Sequence, residues 1–400
     1  MSDEEYMMSN VIRVAVTYRV CQHWRVPIFR RLACKDNIIL KMFYGDDING
    51  TKLVSFTNDP GFDHEKLSTA AIKIKSSGRT SYLLFSPHLF AKLKNFGPDV
   101  ILAEGGSNFL NNFSVFLYKF IYDVPIVWWT LGELPGRKYS IMGKMYRYLV
   151  RVMEKKSDAL LGYSSVAMNY FKRNKYDISK CFYSVNCVDT DKVFLEIEKL
   201  RPFVNELRKN LDLDGKKVVL FVGALVREKR VEYLLSAFSL IKNKIPLARL
   251  LIVGDGEDRS RLELLAKEYH IENKCIFAGS VVKDVTKYFQ LADIFVLPGL
   301  GGLAVSEALA NGLPVICGQG DGCEVDLVLN DVNGYRYSID ISSADCDSYI
   351  SWLADKMLDL LINDDKLDQF SINAVEIIKN KYNVNTYVSG ILKALSYVAK

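Results

Sequence analysis

The chain has 400 residues, of which 49% are hydrophobic and 25% charged, a composition typical of a soluble globular protein and not of a disordered or fibrous one. A single hydrophobic core rarely grows beyond about 250–300 residues, so we expect two domains. The 52 Lys and Arg residues exceed the 47 Asp and Glu residues by five. This mild excess, without any nucleic-acid-binding motif, argues against nucleic acid as a partner.

The first half alternates short apolar runs with helix-length segments. The predicted strands are Val11–Thr17, Ile38–Tyr44, Val100–Ala103, Ile126–Thr130 and Ala159–Tyr163. The predicted helices between them are Val26–Ala33, Ser81–Phe96 and Ser107–Ile121. Continuous apolar strands separated by helices predict an α/β fold with a doubly wound parallel sheet.

The second half repeats this scheme. Its predicted strands are Val218–Val222, Arg249–Val253, Cys275–Ala278, Ile294–Leu297 and Pro314–Cys317. Its predicted helices are Val231–Lys242, Arg259–Tyr269, Val282–Ala292 and Leu303–Asn311, and the tail Asp365–Lys400 is expected to form two more. The charged segment Asp189–Gly215 contains Pro202 and is the candidate linker. We accordingly predict domains at residues 1–200 and 201–375, followed by a helix within 376–400.

Cysteine and histidine usage argues against disulfides and against a bound metal. The eight cysteines form no Cys-x-x-Cys pair, as expected for reduced thiols in the cytoplasm, and the four histidines lack metal-ligand spacing. The acidic start lacks the basic and apolar parts of a signal peptide. Two apolar stretches, Phe109–Leu131 and Phe295–Gly318, are interrupted by charges or by glycine and proline, so we expect no membrane span.

Glycines follow most strands of the second half, at the end of the sheet where open α/β folds bind ligands. They are Gly223, Gly254, Gly256, Gly279, Gly299, Gly301, Gly302 and Gly318. Each could simply form a tight turn between a strand and a helix. As a set they also indicate a site where a phosphate group approaches the backbone closely.

The segment Pro298–Glu307 is the sharpest candidate site. A glycine loop follows the predicted strand, and the N–H groups of Leu303 and Ala304 would then start a helix and attract an anion such as a diphosphate. Glu307 lies one turn further, in an apolar run where a carboxylate needs hydrogen-bond donors such as a ribose diol. A glutamate that faces solvent is the alternative.

Basic residues follow another strand of the same predicted sheet. Arg227 and Lys229 come shortly after Val218–Val222 and could neutralise a diphosphate leaving group. A solvated basic turn explains the same residues equally well.

Six segments in order resemble the C-terminal domain of the large retaining glycosyltransferase family 4. The resemblance is strong over residues 218–336, and Asn186–Asp189 is similar to the family's Asn-Gly-Val-Asp segment. The six segments are Leu220–Lys229, Leu251–Gly256, Ile276–Gly279, Ala292–Pro298, Glu307–Val315 and Asn333-Gly334.

The resemblance implies a GT-B fold: two Rossmann-like domains facing a cleft, with the last helix returning to the N-terminal domain. It implies sugar transfer from a nucleotide-diphosphate-sugar with retention of anomeric configuration, and neither a metal nor another cofactor. Lys229 then matches a phosphate-binding lysine, and Glu307 matches the ribose-binding glutamate of a Glu-x7-Glu motif. With Arg227 they are the candidate catalytic residues. The candidate donor-binding residues are Gly223, Gly254, Val281, Gly301, Gly302, Leu303 and Ala304.

The sequence departs from the family pattern at three places. Gly299 stands where the first glutamate of Glu-x7-Glu is expected, so a contact to the donor sugar is missing. Ala224 replaces an arginine, for which Arg227 is the candidate substitute, and Trp128–Glu133 lacks the family's histidine. These departures leave a non-catalytic nucleotide-sugar-binding or partner protein, or a nucleotide-sugar epimerase, as alternatives.

Acceptor-site candidates come from the first half, where the resemblance holds only in outline. Glu104 and Asn108 follow one predicted strand, and Glu133 follows the next. These carboxylates could bind acceptor hydroxyls or stabilise an oxocarbenium-like centre, although a helix cap and a surface acid are equally good explanations. Arg25 lies in a segment similar to bacterial surface-polysaccharide glycosyltransferases.

Residues Arg137–Lys156 combine seven basic side chains and one acid, a net charge of +6, with interleaved aromatic and aliphatic residues. Such a helix can lie on an anionic membrane, or it can present a solvated basic face. The sequence as a whole predicts a cytoplasmic glycosyltransferase at the inner face of the membrane. It would extend a saccharide or lipid-linked oligosaccharide in polysaccharide biosynthesis.

Overall fold

A computed structural model describes residues 11–48, 51, 54–76, 79–133, 140–281, 283–338 and 345–399, with backbone only for 74–76 and 79–81. Its internal contacts divide the chain into two units. The first unit runs to Val185 and resumes at Val384, and the second runs from Asn186 to Asn383.

The first unit is built on a parallel sheet whose strand order is β3-β2-β1-β6-β7-β8-β9, with a separate antiparallel hairpin of β4 and β5. The strands are β1 Ile12–Tyr18, β2 Ile38–Gly45, β3 Asp63–Leu67, β4 Ala70–Ser76, β5 Arg79–Phe85, β6 Val100–Glu104, β7 Ile126–Thr130, β8 Ala159–Gly162 and β9 Cys181–Tyr183. The helices before Val185 are α1 Val26–Ala33, α2 Leu89–Phe96, α3 Phe109–Tyr122, α4 Ile141–Lys156 and α5 Ser165–Arg173.

The second unit holds a parallel sheet with the order β12-β11-β10-β13-β14-β15. Its strands are β10 Lys217–Val222, β11 Ala248–Val253, β12 Cys275–Gly279, β13 Ile294–Leu297, β14 Val315–Cys317 and β15 Gly334–Arg336. Its helices are α6 Thr190–Asn210, α7 Val231–Ile241, α8 Arg259–Glu268, α9 Thr286–Phe289, α10 Leu303–Ala310, α11 Glu324–Leu327, α12 Cys346–Ile362 and α13 Asp364–Asn380.

Both sheets are doubly wound, as the sequence predicts. Strands β6, β7, β8 and β13 are buried along their whole length, because helices cover both faces of the sheet. In the first sheet the strand order reverses between β1 and β6, and in the second between β10 and β13. At such a switch point the two loops diverge and leave a crevice, which is where open α/β sheets bind ligands.

The last helix, α14 (Val384–Val398), belongs to the first unit. The hydroxyl of Ser184 donates to the carbonyl of Tyr387 at 2.6 Å, and the Arg31 guanidinium hydrogen-bonds the side chain of Asn385. Buried apolar residues, including Val388 and Ile391, line the helix. The chain therefore returns to the first unit after it completes the second.

Three local predictions are wrong. Ser81–Phe96 is not one helix: residues up to Phe85 form β5, because they pair with β4, and the helix begins at Leu89. The proposed linker Asp189–Gly215 is mostly α6, which packs on α9 and α10 of the second unit, so the predicted boundary at residue 200 falls inside a helix. The predicted helix Val282–Ala292 is only α9, and Val282 lies outside the described residues.

Candidate functional site

The glycine loop Pro298–Gly302 joins β13 to α10 at the switch point of the second sheet. Its Leu300 N–H donates to the carbonyl of Glu228 at 2.9 Å, which ties it to the 3₁₀ turn Arg227–Lys229 after β10. Within the described residues, the N–H groups of Leu303 and Ala304 have no hydrogen-bond acceptor. The first turn of α10 therefore has N–H groups available to an anion, and the binding of a diphosphate there stays a prediction.

Lys229 brings its ammonium group to this loop. A Cβ atom added at Gly223 would lie 3.7 Å from Cε of Lys229, and one added at Gly301 would lie 2.9 Å from its Nζ. The side chain thus extends from the end of β10 to the glycine loop. Arg227 begins the same turn and is exposed. The geometry sets one cation beside the N terminus of α10 and leaves a second in solvent nearby.

Glu307 lies one turn into α10 and is partly buried. Among the described residues, no hydrogen-bond donor is paired with its carboxylate. Burial, and to a smaller extent the charge of Glu196 on α6, raise its pKa to about 7 against the opposing charge of Lys192. This carboxylate has unused capacity to accept hydrogen bonds, as expected of a group that binds a ligand's hydroxyls.

The structure gives a steric reason for glycine at position 299, where the family pattern has glutamate. A Cβ atom there would lie 2.3 Å from the carbonyl oxygen of Glu228 and 2.7 Å from the carbonyl carbon of Lys229. A side chain at position 299 is therefore incompatible with the way the turn after β10 packs on the loop. The two loops can approach this closely only because the residue is glycine.

The remaining donor-binding candidates divide into two groups. Gly223 and Gly254 end neighbouring strands, and a Cβ atom at Gly254 would lie 1.8 Å from the Gly223 carbonyl oxygen, so close backbone packing requires this glycine. Val281 lines a shallow cavity of about 300 Å³ together with Phe203, Lys287 and other residues of α6 and α9. A contact of these residues with a donor stays a prediction.

Sequence reasoning missed two acids after β14, Asp321 in the loop and Glu324 at the start of α11. Asp321 packs on Gly302, where an added Cβ atom would lie 2.2 Å from Oδ2 of Asp321. Glu324 is buried and accepts hydrogen bonds from the N–H groups of Gly320 at 3.0 Å and Gly322 at 2.8 Å. The signal was available: a Gly-Gln-Gly-Asp-Gly run follows a predicted strand beside the glycine loop.

No cluster of three or more His, Cys, Asp or Glu side chains suited to a metal ion occurs in the described ranges. In the same part of the chain, no helix has both the length and the hydropathy needed to cross a bilayer.

The second unit is similar in sequence to a known protein family, and the whole chain is similar in fold to solved structures. Residues 203–376 match the family described as "Glycosyl transferases group 1". The chain is similar to HepE of Anabaena in its crystal structure with UDP, with a TM-score of 0.71 at 16% identity, covering 96% of this chain and all of the other. The chain has the GT-B glycosyltransferase fold.

Two curated relatives match the GT-B chain over less than half of either sequence. An uncharacterized glycosyltransferase of Methanocaldococcus jannaschii is 32% identical over 44% of this chain and 45% of its own length. The alpha-monoglucosyldiacylglycerol synthase of Streptococcus pneumoniae is 27% identical over 44% of this chain and 41% of its own length. Family 4, which the sequence motifs indicate, fits these matches.

In the first unit of the GT-B chain, Arg25 is buried. Its guanidinium stacks 4.8 Å from the ring centre of Trp129 and 4.9 Å from that of Tyr163. It also donates to the hydroxyls of Tyr18 at 3.1 Å and Tyr387 at 3.0 Å. Arg25 therefore joins α14 to the carboxyl end of the central strand β1, a structural role, and its part in acceptor binding stays a prediction.

Glu104 and Asn108 lie at the switch point of the first sheet. Glu104 is buried and accepts hydrogen bonds from the N–H of Arg19 and the hydroxyl of Ser107, each at 2.5 Å. The Asn108 oxygen accepts from Asn111 at 2.8 Å, but its buried amide nitrogen has no partner in the described residues. Of these two candidates, Asn108 retains an unused donor for a ligand, whereas Glu104 holds two loops together.

Glu133 pairs with arginines of α4. Its carboxylate lies 2.9 Å from Arg151 and 3.7 Å from Arg147, and Arg147 also lies 3.7 Å from the buried Glu154. Both arginines belong to the unit's own ion-pair network, and Arg147 is buried, whereas the side chain of Arg151 is 43% exposed. Arg137, Lys138 and Tyr139, the first part of the predicted membrane segment, lie outside the described residues.

Proposed function

We propose that the protein is a retaining glycosyltransferase that moves a sugar from a nucleotide-diphosphate-sugar to a saccharide or lipid-linked oligosaccharide in polysaccharide biosynthesis. One observation carries the proposal: the unpaired N–H groups of α10 lie beside Lys229, with the open carboxylate of Glu307 one turn away. These are a phosphate-binding element, a cation and a hydroxyl acceptor, which together match the parts of a nucleotide-diphosphate-sugar.

Each residue has a distinct task in this proposal. The N–H groups of Leu303 and Ala304 hold the diphosphate, assisted by the positive end of the α10 dipole. Lys229, with Arg227 from solvent, neutralises the negative charge that the diphosphate gains as the bond to the sugar breaks. Glu307 accepts hydrogen bonds from the two ribose hydroxyls. Asn108 is the best-supported acceptor-binding candidate, because its amide nitrogen is buried without a partner.

The comparisons support a nucleotide-sugar donor. Crystal structures of HepE, which has the same fold, contain UDP or UDP-glucose. This makes uridine nucleotides the first to test. The sugar, the acceptor and the linkage are set by side chains that differ among proteins of one fold.

A non-catalytic nucleotide-sugar-binding protein is the second candidate, and Gly299 is the observation that favours it. The packing of Glu228 against Gly299 leaves no room for a carboxylate at that position. A site that holds the donor but lacks a group on its sugar would bind without transfer.

The test incubates the purified protein with UDP-glucose or GDP-mannose, with and without saccharide and lipid-linked acceptors, and follows the anomeric protons by NMR. Transfer predicts donor consumption that depends on the acceptor and a product with the donor's anomeric configuration. Binding without consumption would support the second candidate. A changed sugar without any acceptor would instead indicate an epimerase, and an inverted product would contradict the retaining mechanism.

We further propose that the protein contacts the membrane peripherally through α4, at the inner face of the membrane in the cytoplasm. The helix exposes Ile141, Met142, Met145 and Tyr148, with the basic residues Lys144, Lys155 and Lys156 also at the surface. The neighbouring α3 adds further exposed apolar side chains, and rings of the two helices meet at Phe109 and Tyr146. Apolar area next to basic charge suits an anionic lipid surface.

Vesicle co-sedimentation tests this surface. We expect binding to vesicles that contain phosphatidylglycerol, weaker binding to neutral vesicles, and loss of binding in a Met142→Glu, Met145→Glu double variant. Leu195→Glu is the matched control, because Leu195 is an exposed apolar residue on α6. Equal sedimentation of the double variant and the control would contradict the proposal.

A further inference from the structure

Three of the five residues of the loop Pro298–Gly302 are glycines, and neighbouring segments occupy the space where their side chains would lie. Gly299 packs on the backbone of Glu228. A Cβ atom added at Gly301 would lie 2.9 Å from Nζ of Lys229, and one added at Gly302 would lie 2.2 Å from Oδ2 of Asp321. The polar side chains that lie beside these glycines therefore come from neighbouring segments. Lys229 comes from the turn after β10, and Asp321 comes from the loop after β14.

The donor-binding groups proposed above contact neither the base nor the donor sugar of the ligand. The N–H groups of Leu303 and Ala304 and the ammonium of Lys229 account for the diphosphate, and Glu307 accounts for the ribose. What remains beside the diphosphate is the sugar, whose hydroxyl groups need acceptors. Because Asp321 packs against Gly302, the residue that precedes α10, its carboxylate lies next to the proposed diphosphate site.

Asp321 has acceptor capacity to spare for such hydroxyls. Its Oδ1 accepts the N–H of Cys323 at 3.2 Å, and a carboxylate offers about four acceptor positions. Burial raises the pKa of the Asp321 carboxyl above its usual value, and the hydrogen bonds from Cys323 and the charge of Lys229 offset this rise only in part. Lys229 thus partly balances a negative charge that would otherwise repel the diphosphate.

On the basis of the proposed function, we propose that Asp321 binds the hydroxyl groups of the donor sugar and supplies the carboxylate that position 299 cannot carry. Gly299 and Asp321 are then two parts of one arrangement. Glycine at position 299 allows the turn after β10 to approach the loop closely, and the loop after β14 provides the carboxylate of Asp321. This makes Asp321 a residue that selects and positions the sugar.

Isothermal titration calorimetry with four probes tests the inference: UDP, UDP-glucose, GDP and GDP-mannose. For the nucleotide that the wild-type protein binds, Asp321→Asn should leave the affinity for the free nucleotide unchanged. Its affinity for the nucleotide-sugar should fall about tenfold to a hundredfold, since hydrogen bonds to a charged acceptor are lost. Asp368→Asn, at an exposed position on α13, is the matched control and should change neither affinity.

Three other results would overturn the inference. Tighter binding of both probes by Asp321→Asn would mean that Asp321 competes with the diphosphate for the end of α10. Equal affinities in the variant and the wild type would mean that it does not contact the ligand. A wild-type protein that binds none of the four probes would contradict the proposed donor site itself, and this inference with it. If Asp321→Asn does not fold, Asp321→Glu keeps the charge but displaces it, and the same loss for the nucleotide-sugar alone is expected.

Discussion

The two units present polar groups at the same place, the switch point of a doubly wound sheet, but use them differently. In the second unit, the N–H groups of Leu303 and Ala304 and the carboxylate of Glu307 have no partner among the described residues. In the first unit, Arg25 and Glu104 hydrogen-bond other residues of the same unit. Position in the fold therefore does not identify a ligand-binding residue. What identifies it is hydrogen-bonding capacity that the chain itself does not use.

The largest expected effect concerns Lys229 in the second unit. Lys229→Ala should lower the transfer rate by about a hundredfold to a thousandfold, because removing one group that stabilises transition-state charge has this effect in many enzymes. Initial rates of donor consumption at saturating acceptor measure it. Lys244→Ala, an exposed lysine of the same unit, is the control. A rate within a factor of three of the wild type would mean that Lys229 does not act on the leaving group.

The second largest effect is expected at Arg25 in the first unit, where the side chain hydrogen-bonds other residues of the unit. Arg25→Met removes two buried hydrogen bonds and two ring contacts, so the unfolding free energy should fall by about 2–4 kcal/mol while nucleotide affinity stays unchanged. Urea unfolding followed by tryptophan fluorescence is a suitable measurement, since three of the four tryptophans lie before Val185. Arg201→Met, at an exposed position of α6, is the control and should have little effect. Normal stability with weakened acceptor binding would show that Arg25 serves a ligand after all.

The raised pKa of Glu307 should make the stability of the protein depend on pH. This pKa of about 7 lies above the usual value near 4.5, so the folded protein binds an extra proton between these values. The contribution of Glu307 to stability therefore declines as the pH rises through this window. Glu307→Gln should raise the melting temperature at pH 8 but hardly at pH 5.

The same substitution should weaken nucleotide binding about tenfold at pH 8, because hydrogen bonds from ribose to a charged acceptor are lost. In the wild type, affinity should increase from pH 6 to pH 8, and in the variant it should not. Glu198→Gln, an exposed glutamate on α6, is the control for both measurements. An affinity that Glu307→Gln leaves intact would remove Glu307 from the donor site.

The smallest effect is expected at Glu104. Glu104→Gln retains one oxygen acceptor and loses the charge, so it should cost about 1 kcal/mol of stability and leave the acceptor KM unchanged. Asn108→Ala should raise that KM, because it removes the unpaired amide. Thermal melts and transfer kinetics on both variants separate the two roles. A raised KM for Glu104→Gln alone would reverse them.

Much of the fold follows from the sequence because buried parallel strands are continuous apolar runs. Ile126–Thr130 and Ile294–Leu297 are correct to the residue. The hairpin of β4 and β5 was missed, since Tyr82–Phe85 is apolar at a spacing that suits a helix as well as a strand. The charge and the proline of α6 favour a linker in the sequence, whereas its packing on α9 and α10 makes it a helix.

The sequence predicts those parts of the candidate site that are formed by backbone groups. The glycine loop and the start of α10 leave a sequence signature, because glycine and a helix start are local features. Asp321 was not found, because its proximity to Gly302 depends on how two loops from neighbouring strands pack. The partners of Arg25 and Glu104 are likewise distant in sequence, so that their structural roles became visible only in the fold.

The most direct test of the central claim is a thermal-shift panel of UDP, GDP and their sugar conjugates on the purified wild-type protein. A ligand present at 100 times its dissociation constant stabilises the folded state by about 2.7 kcal/mol, which gives a measurable rise in melting temperature. We expect the melting temperature to rise with one nucleotide family, and we expect this rise to be lost in Lys229→Ala and reduced in Glu307→Gln. No rise with any nucleotide in a folded sample would contradict the donor site in the second unit.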